Sequence, residues 1–228
     1  MAKPIQELAM AGFGTEIIYS FVIILCSLMI YFGTKELYEL SSYKGIKYFR
    51  QAFLFFAVAY FFRGFIKFVI SYLNIGMILD ISPMSFGIIF GPITLFIFMY
   101  FSYMAVFYLL YSVMLKKWDG NFIYLFHGLA FIIPIISILS RNYLVYVAIN
   151  LTLFAFFVIS VCTSYKGKKN KKNYNLYAIY LLLLSFWIIN IIDILIPEFF
   201  QTFQLLIYMA STGIFLTILY KVIKKTGN

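Results

Sequence analysis

The chain has 228 residues, 64% of them hydrophobic and 22% aromatic, with 11% charged and a mean hydropathy of +0.96. Soluble domains carry about 25% charged and about 45–50% apolar residues, so a water-soluble fold is excluded and lipid must solvate most of this chain. The net charge of +10 does not indicate nucleic acid, because no soluble basic domain exists to bind it.

A membrane-spanning helix needs about 20 mostly apolar residues. Seven such runs follow one another: Glu16–Leu37, Lys47–Leu73, Phe86–Leu115, Phe122–Ser140, Tyr143–Tyr165, Asn175–Ile196 and Phe199–Ile223. In lipid, unsatisfied backbone groups leave only helices or closed barrels. These runs are too long and too evenly apolar for barrel strands. The expectation is an all-α polytopic membrane protein, one domain over 1–228, in the cell membrane. The opening residues, MAKPIQELAMAGFG, do not have the pattern of a signal peptide.

The basic residues assign direction. Lys35, Lys44, Lys47 and Arg50 lie between runs one and two, and Lys116 and Lys117 between three and four. Lys166, Lys168, Lys169, Lys171 and Lys172 lie between five and six, and Lys221, Lys224 and Lys225 follow run seven. The other side has Lys3 and Arg141 with Glu7, Glu16, Asp80, Asp193 and Glu198. By the positive-inside rule the N-terminus is outside and the C-terminus cytoplasmic, and the basic loops face anionic headgroups. The first of these loops contains SYKGIK (Ser42–Lys47) and the third contains SYKGKK (Ser164–Lys169). This suggests a repeat of three helices, 16–115 and 143–223, linked by helix 122–140.

Within this apolar background the polar residues stand out. Arg63 and Lys67 lie on one face of run two, continued inward by Tyr60, Ala59, Phe56 and Ala52. An ionisable residue inside a span marks a functional site by default. Lys67 can lift its ammonium to the interface along its own stem, whereas Arg63 sits a turn deeper. Run six offers Asn190 and Asp193 beside Phe186 and Trp187; run seven offers Gln201, Gln204, Tyr208, Ser211 and Thr212; run five Asn150; run one Glu16, Tyr19 and Ser20. The assigned direction puts all of these in the outer half. They outline a polar cup for a small-molecule or ion ligand, formed by Arg63, Lys67, Asp193, Asn190, Glu16, Gln204, Tyr208 and Asn150. The competing reading is an Arg63–Asp193 pair and interhelical hydrogen bonds that only hold the bundle together.

Other features are read as packing. His127, alone in run four, is expected to be a hydrogen-bonded packing residue. Cys26 and Cys162 are expected to be buried thiols acting as small hydrophobes. Tyrosines near span ends, such as Tyr38, Tyr43, Tyr48, Tyr165, Tyr174 and Tyr177, suit interfacial belts. Tyr100, Tyr103, Tyr108 and Tyr111 read as packing, with an inner passage as the alternative. One histidine and two cysteines make no zinc or bis-histidine haem site, so no metal or cofactor is expected. No lysine lies between Gln201 and Tyr220, which excludes a retinal Schiff base there.

The segment GTKELYELSSYKGIKYFRQAFLFFAVAYFFR resembles one found in uncharacterised seven-helix membrane proteins of archaea, and that resemblance implies topology only. The three-plus-one-plus-three order is similar to that of SWEET and PQ-loop carriers, although the proline-glutamine pair of the latter is missing. No motif of an enzyme is present. The expected function is binding and transport of a small solute or ion. The alternatives are a receptor-like sensor signalling through its basic loops to a separate partner, and a protein whose role is lateral assembly as a homo-oligomer.

Overall fold

The computed structural model describes the backbone of residues 3–72, 83–115, 118, 122–140, 142–165, 171–195 and 204–226; side chains at 1–13, 16, 66–91, 116–117, 119–121, 141, 143, 164–177, 191–204 and 225–228 lie outside the described residues. All regular structure among them is helical: α1 (Lys3–Gly33), α2 (Lys35–Ser41), α3 (Lys44–Tyr72), α4 (Pro83–Met114), α5 (Phe122–Ser140), α6 (Tyr143–Tyr165), α7 (Lys171–Leu195) and α8 (Gln204–Thr226). Among the described residues, five stretches are long and apolar enough to cross a membrane: Ile17–Ser41, Pro92–Met114, Phe122–Ser140, Leu144–Thr163 and Leu205–Lys224. α7 contains a shorter apolar run, Ala178–Asn190. α3 carries Lys47, Arg50 and Arg63 and is not among the five.

The first run differs from its expected form, because the helix breaks near Thr34 and restarts as α2. The Thr34 hydroxyl donates to the Ile30 carbonyl at 2.7 Å. Such back-bonding competes with the regular ladder and bends helices. α2 then ends at Ser42, whose left-handed backbone (φ 49°) lets its N–H donate to the Tyr38 carbonyl at 2.8 Å. The chain thereby reverses into α3. Arg50 locks this corner: its Nε donates to the Tyr31 carbonyl at 3.0 Å, and its guanidinium lies 4.8 Å from the centre of the Tyr31 ring.

The helices close a ring. α1 packs on α3, α3 on α4, α4 on α6, α6 on α7, α7 on α8, and α8 back on α1, while α5 lies outside against α4 and α6. Sequential neighbours run antiparallel within α1–α3–α4 and within α6–α7–α8, whereas the two junctions, α4 against α6 and α8 against α1, are parallel. The first part of α1 meets the last parts of α3 and α7 through Tyr19, Tyr60 and Asn190, and its other end meets the start of α3 at Arg50. Close approach of α1 and α3 depends on Gly64, where an added Cβ would stand 3.3 Å from the Ser20 Cβ.

α3 presents Ala52, Phe56, Ala59 and Tyr60 to the interior, all buried. Phe53 and Phe56 of α3, Phe186 of α7 and Phe215 of α8 fill the middle of the ring. Phe186 and Phe215 meet at 4.8 Å, and Phe56 packs edge-on against both at 6.0 and 6.1 Å. Tilted and edge-to-face pairs of this kind are the favoured geometry of aromatic quadrupoles. Of the two cysteines, Cys26 is buried as expected, but Cys162 of α6 is exposed.

Lipid tails are as apolar as a protein core, so packing rather than transfer from water sets the cost of truncation here. Phe215→Ala is expected to lose about 2–3 kcal/mol, at or below the low end for soluble cores, read as a lowered Tm in detergent. Leu139→Ala, at a position 75% exposed, should leave Tm almost unchanged.

Candidate functional site

Polar side chains from six helices converge at the ring end where α1, α4, α6 and α8 begin and α3 and α7 finish. Asn190 is the anchor. Its carboxamide oxygen accepts the Tyr60 hydroxyl at 2.7 Å and the Tyr19 hydroxyl at 3.0 Å, and its Nδ2 donates to the Phe186 carbonyl at 2.8 Å. The Phe186 carbonyl can only accept, which fixes which end of the amide is nitrogen. The Tyr208 ring stacks on Tyr19 with centroids 4.5 Å apart and 8° between planes. The α8 stripe read from the sequence therefore reaches the site through Tyr19, and Ser211 is fully buried beside it.

Asn150 of α6 repeats the device across the ring. Its Nδ2 donates to the Tyr146 carbonyl at 2.8 Å and to the Tyr103 hydroxyl at 3.1 Å, while its Oδ1 lies 3.3 Å from that hydroxyl. Both asparagines are buried, at 1% and 8% exposure. In hydrocarbon each unpaired polar group costs several kcal/mol, and the helix periodicity places tyrosines where these amides need them.

Between the two amides lies a cavity of about 40 Å³, enough for roughly three water molecules at about 10–15 Å³ of accessible volume each. Its polar wall comprises Tyr60, Ser102, Tyr103, Tyr146, Asn150 and Asn190, and its apolar wall includes Phe56, Phe98, Phe186 and Trp187. Phe56 and Phe186 belong to the aromatic plug, which floors the cavity. Arg63 stands at the rim, its guanidinium carbon 5.5 Å from the centre of the Phe98 ring and 5.8 Å from that of Tyr60. This is cation–π range. A larger recess of about 190 Å³ opens on the outer flank between α1 and α3 over Ser20 and Gly64. Its walls of Ile17, Phe21, Ile24, Phe61 and Phe65 are those of a lipid-facing surface, so the smaller cavity, which lies against Asn150 and Asn190, is the candidate site.

Four of the residues singled out in the sequence thus come together: Arg63, Asn190, Asn150 and Tyr208. The side chains of Glu16, Lys67, Asp193 and Gln204 lie outside the described residues, and so does any Arg63–Asp193 pair. Tyr103 and Tyr146 carry the Asn150 half of the network and were not assigned to the site from sequence; the signal for Tyr103 was a tyrosine far from a span end, and for Tyr146 its place one turn before Asn150 on the same helix. Away from the cavity, His127 is tied on both ring nitrogens, Nδ1 to the Tyr100 hydroxyl at 2.9 Å and Nε2 to the Tyr108 hydroxyl at 3.3 Å. No group of three or more His, Cys, Asp or Glu capable of holding a metal occurs among the described residues. No protein-family model matches the chain, and no curated protein or solved structure matches it either.

The Asn190–Tyr60 bond can be measured by a double-mutant cycle. Interhelical hydrogen bonds in membranes average about 0.6 kcal/mol and reach about 1.7. With Tyr60→Phe and Asn190→Leu, unfolding in detergent should return a coupling of about 0.6–1.7 kcal/mol. A coupling near zero would show that the bond contributes nothing to the bundle.

Proposed function

We propose that the chain is a seven-span protein of the cell membrane, with its N-terminus outside and its C-terminus cytoplasmic, that binds a small solute or ion in the Asn–Tyr cavity and carries it across the bilayer. The observation that carries this reading is a cavity lined by four helices, set between two buried asparagine–tyrosine networks with Arg63 beside it, in a bundle that includes five apolar helices of membrane-spanning length. A role confined to holding helices together needs no cavity. In the proposed orientation the cavity lies in the outer half, with the basic loops at the opposite surface.

The proposed three-plus-one-plus-three repeat is supported by the pattern of neighbours. α1–α3–α4 and α6–α7–α8 are each consecutive in the ring, joined by α4 against α6 and α8 against α1, with α5 outside. A two-fold operation that exchanges the halves also exchanges these two junctions. The middle helices are buried in one rhythm: Ala52, Phe53, Phe56, Ala57, Ala59 and Tyr60 of α3 stand 127 residues before Ile179, Tyr180, Leu183, Leu184, Phe186 and Trp187 of α7, a separation five residues longer than the 122 between the two hexapeptides. The same separation pairs Arg63 with Asn190, and Tyr19 of α1 with Tyr146 of α6. Carriers built from repeats bind at the interface between them, which is where the cavity lies. Rocking of one half against the other separates Phe53 and Phe56 from Phe186 and Phe215, opening the plugged side. This reading assigns no catalytic step.

The test is uptake or counterflow in proteoliposomes across a broad panel of small solutes and ions. Transport is expected for at least one class, reduced tenfold or more by Asn150→Leu. No uptake of anything in the panel by a folded protein rejects the reading. Orientation is checked separately in cells with cysteines introduced into a Cys26→Ser, Cys162→Ser background. A membrane-impermeant maleimide should label Asn142→Cys from outside and reach Ser42→Cys only after permeabilisation.

A further inference from the structure

We infer that the recess between α1 and α3 holds one glycerolipid of the surrounding bilayer. Its acyl chain lies along the recess, and the oxygen that links chain to glycerol accepts a hydrogen bond from the Ser20 hydroxyl. The inference takes from the reading above only the membrane setting and the outward start of α1, and it concerns a different place in the molecule.

The first argument is the hydroxyl itself. An unpaired hydroxyl is costly in hydrocarbon, and a helical serine or threonine can meet the need by donating to the carbonyl one turn back. Ser137, Thr152, Ser185 and Thr217 all do so, at 2.8–3.0 Å. Ser20 does not. It is 2% exposed and its oxygen has no hydrogen-bond partner. It forms the floor of the recess together with Gly64, where an added Cβ would stand 3.7 Å from that oxygen. One side-chain torsion, with three staggered wells, turns the hydroxyl toward the recess.

The second argument is shape. The recess measures about 190 Å³ and opens on the outer flank of the ring. An apolar cavity of about 150 Å³ holds benzene, with its six carbons, so this one accommodates about six to eight carbons of a chain. The rings of Phe61 and Phe65 stack 5.4 Å apart with 12° between planes and form one wall. The α1 wall, from Ile17 to Ile24, is about 10 Å long at 1.5 Å per residue. A helix of a second copy, about 10–12 Å across, is too wide to enter.

The third argument is depth. Ser20 is one turn inside the membrane-length stretch that begins at Ile17. In the proposed orientation it stands just below the outer headgroups, where the linkage oxygens of a lipid lie and its chains begin. Tyr19 and Tyr60, which touch at 3.3 Å, each precede a recess residue, Ser20 and Phe61. A seated chain therefore backs the α1–α3 seam from the lipid side, opposite the candidate cavity.

The test is native mass spectrometry of the delipidated protein in detergent, titrated with dioleoyl phosphatidylcholine, whose neutral headgroup gains nothing from the basic loops. One lipid should be retained per chain, saturably. Ile17→Trp, which fills the recess from the lipid side, should raise the apparent Kd at least tenfold. Ile24→Trp should do the same and provides the test if Ile17→Trp does not fold. Ser20→Ala should raise it at least threefold without lowering Tm in the absence of lipid, because the hydroxyl removed has no partner in the bundle. Leu139→Trp, on an exposed face elsewhere, should retain lipid as the parent does. The inference is overturned by no saturable retention, by retention that both recess-filling variants leave unchanged, or by a Ser20→Ala protein that binds as the parent does. A dimer that Ile17→Trp dissolves also overturns it, and makes the recess an interface between copies. Retention is read without flux, so loss of this site leaves the transport reading standing, and absence of transport leaves the lipid in place.

Discussion

One carboxamide ties three helices together at the polar end of this bundle. Asn190 accepts a hydroxyl from α1 and another from α3 while anchoring its own nitrogen to the carbonyl one turn back in α7. In water those hydroxyls could exchange partners with solvent at little cost. In hydrocarbon they cannot, so the relative rotation and depth of α1, α3 and α7 are constrained together. Tyr208 brings α8 into the same arrangement by stacking on the tyrosine that Asn190 holds. Arg63 depends on it too, because its ring partner Tyr60 is fixed by the amide.

The remainder of the ring has no such directional bonds and relies on shape. With lipid outside, apolar surface gains little by turning inward, so cohesion comes from dispersion at close approach. Two devices supply it. Small residues on α3, Ala52, Ala59 and Gly64, let neighbouring backbones come near. Phenylalanines from α3, α7 and α8 then fill the middle in edge-on contacts. The aromatic richness of the chain is thus divided between two tasks: phenylalanine packs the ring, and tyrosine both packs it and satisfies the amides.

Element existence was legible because apolar runs of membrane-spanning length are the strongest signal a sequence carries. The spans Phe122–Ser140 and Tyr143–Tyr165 coincide with α5 and α6 for that reason, bounded by the polar Arg141 and Asn142. The break at Thr34 was not legible, because a threonine within an apolar run gives no sign of bonding to its own helix. Burial was harder still. Cys162 reads as apolar interior, yet its helix turns that face outward, and hydropathy cannot distinguish a lipid-facing position from a core-facing one when both solvents are apolar. The site was half legible. Mid-span Arg63, Asn150 and Asn190 declared themselves by their cost in lipid, whereas Tyr103 and Tyr146 did not, since a tyrosine is tolerated at the interface as well as inside.

The proposed repeat gives the charge at the rim a physical logic. Under it, Arg63 and Asn190 occupy matching positions in the two halves. Two arginines facing one another across a dry cavity would repel strongly at the short range and low dielectric found there. One of each avoids that repulsion and still supplies an amide that locks the opposing helices, so charge and helix-tying hydrogen bonds fall in different halves. The matching tyrosines diverge in the same way: Tyr19 bonds to Asn190, and Tyr146 lends its backbone carbonyl to Asn150. On that reading, a repeat of the helices coexists with asymmetry of the lining: the amide that ties three helices together stands in one half and the cationic side chain in the other.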